Sequence, residues 1–297
     1  MGIVPDQNGR IALITGATSG IGFRTARELA GRGATVIVAG RAPDAAAEAI
    51  GAEPLRLDLA DLTVIRRAAA EFHERHDRLD LLINNAGLMI PPYGRTRDGF
   101  EQQFGVNHLG HFALTGLLLD RLAAGSEPRV VTVSSNGHKR GVIRFEDLAW
   151  ERGYHAMNAY AMSKLANLLF AAELGRRVPW LTSVAAHPGA ARTSLMRTSP
   201  WHFRFVTARR TRWVFSWLIQ SAEAGAQPVL RAATDPAVRG GEYFGPGGWG
   251  EFTGKPVLVS PSAAAQDPVL AKRLWDTSQE LTGVNWPADA GMLTDGP

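Results

Sequence analysis

Tyr160 and Lys164 stand four residues apart in NAYAMSKLANLLF. On a helix that spacing puts both side chains on one side. An unperturbed tyrosine titrates near ~10 and a lysine near ~10.4. An ammonium beside a phenol favours the phenolate, so the pair can work as a tuned acid and base. The spacing alone also describes an ordinary surface pair. A second group of residues is suited to an anion. Thr15-Gly16-Ala17-Thr18-Ser19-Gly20-Ile21-Gly22 links an apolar run to a helical stretch. Gly16 permits a tight turn, and Gly20 and Gly22 let a pyrophosphate reach the N-terminus of the helix. The glycine spacing differs from the general dinucleotide fingerprint. Its position between a strand and a helix strengthens the reading.

The elements that must carry these residues alternate. Buried-strand patterns occupy Ile11–Thr15, Ala34–Gly40, Pro54–Leu59, Leu79–Gly87, Arg129–Ser135, Leu181–Gly189 and Lys255–Ser260. Helical stretches fall between them at Gly20–Arg32, Asp61–His76, Gly99–Ala123, Asn158–Arg177 and Ser221–Thr234. A further helix is expected at Asp267–Thr282, and Gly240–Pro256 reads as an irregular loop. Such alternation implies an α/β fold, a parallel sheet with helices on both faces. Ligands of open sheets sit beyond the C-terminal strand ends. Polar residues gather there: Thr15-Gly16, Asn84 to Gly87, Ser134-Ser135 and His187 to Gly189.

The end of the second strand bears on the cofactor. A carboxylate there would bind a ribose 2′-hydroxyl and favour NAD. Here Ala39-Gly40-Arg41 stands instead, with no carboxylate before Asp44. Arg41 suits a 2′-phosphate, which favours NADP(H) over NAD(H); a solvated surface charge is the other reading. Asp58, with Leu59 beside it, closes the third strand. It is placed either to accept from an adenine amino group or to cap the next helix.

Taken together, these motifs resemble the short-chain dehydrogenase/reductase family. The Thr15–Gly22 loop, Asn84-Asn85-Ala86-Gly87, Asn107, Ser135, Tyr160, Lys164 and His187-Pro188-Gly189 agree with it in order and identity, over about residues 10–260. VNHLGHFALTGLLLD and AYAMSKLANLLF look like the retinol-dehydrogenase branch. The resemblance implies a Rossmann-type doubly wound sheet in one domain over residues 1–297. It implies a C-terminal substrate lid at about 193–222 and a tail at 261–297. It also implies roles. Tyr160 would be the general acid/base, and Lys164 would lower its pKa and hold the nicotinamide ribose. Ser135 would orient a carbonyl, and Asn107 would anchor a relay water. Asn85, Ala86 and Gly87 would line the cofactor groove, and Pro188, Gly189 and Thr193 would meet the nicotinamide side. The chain departs from many members in the 24 residues between Ser135 and Tyr160, where Arg144–His155 reads as an insert.

Composition narrows the remaining choices. The 297 residues carry a net charge of +4, with 20% charged and 45% hydrophobic residues. That surplus argues against a nucleic-acid binder. The absence of cysteine excludes disulfides, thiolate metal sites and cysteine nucleophiles. No metal site is expected, since His73/His76 and His108/His111 lack a third ligand. Tyr154 is a rival acid without a lysine at i+4. No signal peptide or membrane-spanning helix is expected, and the cytoplasm is the expected compartment. Ser199–Ser221 mixes tryptophan, phenylalanine and arginine. It reads as a lid over a bulky apolar substrate, a membrane-surface helix or a subunit contact. The expected partners are a lipophilic small molecule and further copies of the chain. Two other functions remain: a nucleotide-binding sensor or scaffold without turnover, and a nucleotide-sugar epimerase.

Overall fold

The computed structural model describes residues 4–190 and 220–286. Thr193, the expected lid through residue 219 and the tail from residue 287 lie outside them. Eight strands form one sheet: β1 (Ile11–Thr15), β2 (Thr35–Gly40), β3 (Glu53–Arg56), β4 (Leu81–Asn84), β5 (Arg129–Val133), β6 (Thr182–Ala186), β7 (Tyr243–Pro246) and β8 (Pro256–Leu258). Their order is β3-β2-β1-β4-β5-β6-β7-β8. The first seven run parallel, and β8 is antiparallel to β7. The order reverses between β1 and β4, which opens a crevice at their C-terminal ends.

Strand alternation covers both faces. Leu13, Ile37, Leu82 and Val130 point into one core with Phe72, Phe112 and Trp275. Ile14, Val38, Ile83 and Val131 point into the other with Leu29 and Val229. Burying one such aliphatic side chain contributes roughly 1.5–3 kcal/mol. Tertiary packing therefore holds strands as short as four residues. The helices are α1 (Gly20–Ala30), α2 (Asp44–Glu48), α3 (Leu62–Arg75), α4 (Gln102–Phe104), α5 (Gly110–Leu117), α6 (Leu119–Ala123), α7 (Ala156–Arg177), α8 (Ala222–Thr234) and α9 (Pro268–Thr282). Side chains of Asp61, Ser221 and Asp267 cap α3, α8 and α9. The tail up to residue 286 contributes to the core: Trp275 of α9 lies 5.0 Å from Phe112 and 4.5 Å from Trp286, centroid to centroid.

Three expectations change. The helix expected over Gly99–Ala123 is broken into α4, α5 and α6, with a π turn at Gly105–Leu109 between the first two. The expected loop at Gly240–Pro256 contains β7. Its Gly245 reflects close approach rather than a turn, because a Cβ there would sit 2.0 Å from His187 Nε2. The last strand is Pro256–Leu258 rather than Lys255–Ser260.

Candidate active site

A cavity of about 740 Å³ lies over the crevice between β1 and β4. Gly16, Thr18, Ser19, Gly20, Ile21 and Gly22 line one end, with Arg41, Asp58 and Leu59 nearby. Asn85, Ala86, Gly87, Ser135, Tyr160, Lys164, Pro188 and Gly189 line it further on. Thr193 lies outside the described residues. Asn107 does not line the wall and stands behind Gly87.

The glycine loop fits a dinucleotide by close approach. Gly16 and Gly20 have φ of 67° and 57°. A Cβ on Gly22 would fall 2.4 Å from Asn85 Nδ2 and 2.6 Å from the Gly16 carbonyl oxygen. Helix α1 thereby sits close to β4, and its first turn carries no acidic residue. Its positive end faces the cavity unneutralised by a carboxylate of its own first turn. Arg41 is exposed at the rim. Asp58 is not the cap of α3, which is Asp61; Asp58 Oδ1 accepts from the Ala60 amide at 3.0 Å.

His111 fixes this end of the site. Its Nδ1 faces the Asn107 carbonyl at 2.9 Å and must donate there. Burial holds the ring's pKa down to about 4, so it is neutral. Nε2 then accepts from Thr15 Oγ1 at 2.8 Å. Thr15 Oγ1 in turn accepts from the Asn85 and Ala86 amides, each at 3.0 Å. One imidazole thus joins β1, the end of β4 and the π turn. Asn107 is fully engaged: Oδ1 accepts from the Leu88 amide at 2.7 Å, and Nδ2 donates to the Leu88 carbonyl at 3.0 Å and Ser163 Oγ at 2.9 Å. A Cβ on Gly87 would lie 3.2 Å from Asn107 Oδ1 and 3.5 Å from Lys164 Nζ. Gly87 therefore keeps these groups next to the cavity.

Helix α7 begins at Ala156, with His155 accepting from the Asn158 amide. Most of its length is buried, Tyr160 and Lys164 included. Burial raises the Tyr160 phenol, and the Ser135 hydroxyl beside it draws it back. Burial pulls Lys164 down to about 8. Its ammonium donates to the Val133 carbonyl at 3.1 Å and lies 5.9 Å from the centre of the Tyr160 ring. Ser134 donates to the Lys164 carbonyl at 2.7 Å and ties β5 to α7. His138 Nδ1 donates to the Ser135 carbonyl at 2.7 Å. Ser135, Tyr160 and Lys164 thus come together on one wall.

Tyr154 is committed elsewhere. It donates to the Pro91 carbonyl and accepts from Gln103, and burial pushes it up to about 12. The histidine pairs pack or bond locally: His73 meets Asp120, His76 meets Glu53, and His108 meets Ser278. Among the described residues no three histidine or acidic side chains group as a metal site. No described helix is long and apolar enough to cross a membrane. Leu88, Met89, Met157 and Phe252 also line the cavity. None carries a spacing signal in the sequence.

A glycine cradle at a sheet switch point, opening on a serine, tyrosine and lysine, defines a nucleotide-dependent α/β oxidoreductase. The sequence model of the family described as short chain dehydrogenase matches residues 10–201, and the chain belongs to that family. Retinol dehydrogenase 13 of Homo sapiens is 43% identical, over 94% of this chain and 86% of that protein. A solved structure of an uncharacterised protein from Mycobacterium paratuberculosis is 42% identical, covers 96% of this chain and 97% of that one, and has a TM-score of 0.79. A protein described as a candidate NAD(P) dependent gluconate 5-dehydrogenase from Beutenbergia cavernae, solved with NADP, is 25% identical with a TM-score of 0.62. It covers 79% of this chain and 94% of that one.

Proposed function

We propose that the protein interconverts a carbonyl and an alcohol on a lipophilic small molecule, using NADP(H). The observation that carries this reading is the wall on which Ser135, Tyr160 and Lys164 line the cavity together, at the open end of the glycine cradle. In the reducing direction Ser135 and Tyr160 both donate to the substrate oxygen. Tyr160 then delivers its proton to that oxygen, and in oxidation it takes the proton back. Lys164 keeps positive charge next to the phenol and offers donors to a ribose. The nicotinamide supplies or accepts the hydride when bound. Leu88, Met89, Met157 and Phe252 favour an apolar substrate.

The test is NADPH oxidation with carbonyl compounds graded from small aldehydes to retinoid-sized ones. Turnover that rises with apolar bulk supports the reading. NADPH binding with no turnover across the series favours the sensor alternative.

Cofactor choice rests on Arg41. Arg41→Ala is expected to weaken NADPH binding by about tenfold, the loss of one charge-assisted contact at ~1.5 kcal/mol. NADH binding should change far less. Titration of both nucleotides checks this, and equal losses would remove Arg41 from the 2′-phosphate site.

A further inference from the structure

The loop between β7 and β8, residues 247–255, reaches back over the candidate site. Its own hydrogen bonds run from the Gly247 amide to the Lys255 carbonyl and from the Gly248 amide to the Thr253 carbonyl. Glu251 sits at its tip with φ of 58°, a backbone state rare outside glycine. Such strain persists where the surroundings over-determine it. Here they do. Lys139 Nζ donates to Glu251 Oε1 at 2.7 Å, and His187 Nε2 lies 3.0 Å from Glu251 Oε2. Asn136 Nδ2 donates to the Gly250 carbonyl at 2.9 Å, and the Ala190 amide donates to the Phe252 carbonyl at 2.9 Å.

These attachments come from two walls of the cavity. Asn136 and Lys139 lie in the turn that follows Ser135. His187 and Ala190 flank Pro188-Gly189. Lys139 holds one Glu251 carboxylate oxygen on the first wall, and the other oxygen lies beside the His187 ring of the second. The next residue, Phe252, lines the cavity, with Trp249 packed on its ring at 5.8 Å between centroids. Gly189 has no room for a side chain beneath it, since a Cβ would fall 2.3 Å from the Phe252 carbonyl oxygen.

We propose that this loop is a fixed wall of the substrate pocket, in which Glu251 is the positioning residue and Phe252 sets the bulk of carbonyl compound admitted. The inference rests on the carbonyl–alcohol reading above and specifies its substrate side. Phe252 acts by occupying volume and Glu251 by holding that volume in place.

The experiment compares kcat/KM for a bulky and a small apolar carbonyl in wild type, Phe252→Ala, Glu251→Ala and Glu251→Gln. Phe252→Ala is expected to raise the bulky-to-small ratio by at least ~10-fold, the range in which apolar pocket volume discriminates substrates. The change should fall on KM more than on kcat. Glu251→Ala is expected to move the ratio the same way, because the wall loses its seat. Glu251→Gln keeps an acceptor for Lys139 and should fall between Glu251→Ala and wild type. Where Glu251→Ala does not fold, Phe252→Leu and Lys139→Ala read the wall and the clamp separately. A ratio unchanged in every variant, with all substrates losing equally, overturns the inference. Wild-type protein inactive on the whole series overturns the carbonyl reading, and the pocket assignment with it.

Discussion

Tyr160→Phe is expected to lower turnover by at least ~10²-fold, the usual contribution of a positioned acid or base. The variant removes one hydroxyl and leaves the ring, which is buried in α7 and meets no steric demand from the change. The substrate oxygen then loses its proton donor, while Ser135 Oγ keeps its bond from the Gly137 amide at 3.2 Å. NADPH should still bind, because the glycine loop, Arg41 and Lys164 are untouched. Nucleotide binding by fluorescence and steady-state turnover, measured on the same preparation, separate the two effects. Tyr154 cannot take over, since its hydroxyl is held by Pro91 and Gln103. Turnover within about threefold of wild type would remove Tyr160 from proton transfer.

Stability should fall steeply in mild acid. Burial holds His108 at about 3, and His111 and His187 at about 4, so all three are neutral in the folded protein. In the unfolded chain an imidazole titrates near ~6.5. Below that pH the unfolded state takes up protons that the folded state refuses, which favours unfolding. The stabilisation is complete above about 6.5 and is lost progressively as pH falls towards 4. Three such groups give a slope of up to about 4 kcal/mol per pH unit. His138 adds in the same direction. Denaturant midpoints between pH 8 and 4.5 measure the slope, and His108→Gln should reduce it by about a third. A midpoint that stays level to pH 5 would contradict the buried neutral imidazoles.

Much of this architecture is legible from local pattern. β1 and β2 are apolar, bounded by glycine, and buried on both faces, so hydrophobicity alone marks them. Tyr160 and Lys164 stand out only in company with the other motifs, since their spacing alone fits a surface pair, and the glycine loop stands out by its place between strand and helix. β7 does not, because Tyr-Phe-Gly-Pro is too short for a period and its glycine answers His187, just past the end of β6. The π turn is equally silent: its residues satisfy an α-helical pattern, and only the packing around Asn107 reveals the extra residue. His111 is packed in the core. Its bonds to Thr15 and Asn107 span the fold, so no window of sequence contains them. Glu251 and Phe252 lie in a glycine-rich stretch whose composition spells only loop. Their role arises from what Lys139 and His187 bring to meet them.

The turn at Gly105–Leu109 also makes chain length a constraint in this part of the core. A π turn holds one residue more than an α-helix over the same rise. Deleting a single residue there would let the segment relax to regular helix while the helices on either side kept their faces. His111 would stay against Thr15, and the change would fall on Asn107 and its bonds to Leu88 and Ser163. Substitutions at these five positions change side chains one at a time. A one-codon deletion would instead remove the bulge itself, and with it the placing of Asn107 against Ser163, whose hydroxyl donates to the Tyr160 carbonyl, while leaving the glycine loop as it is.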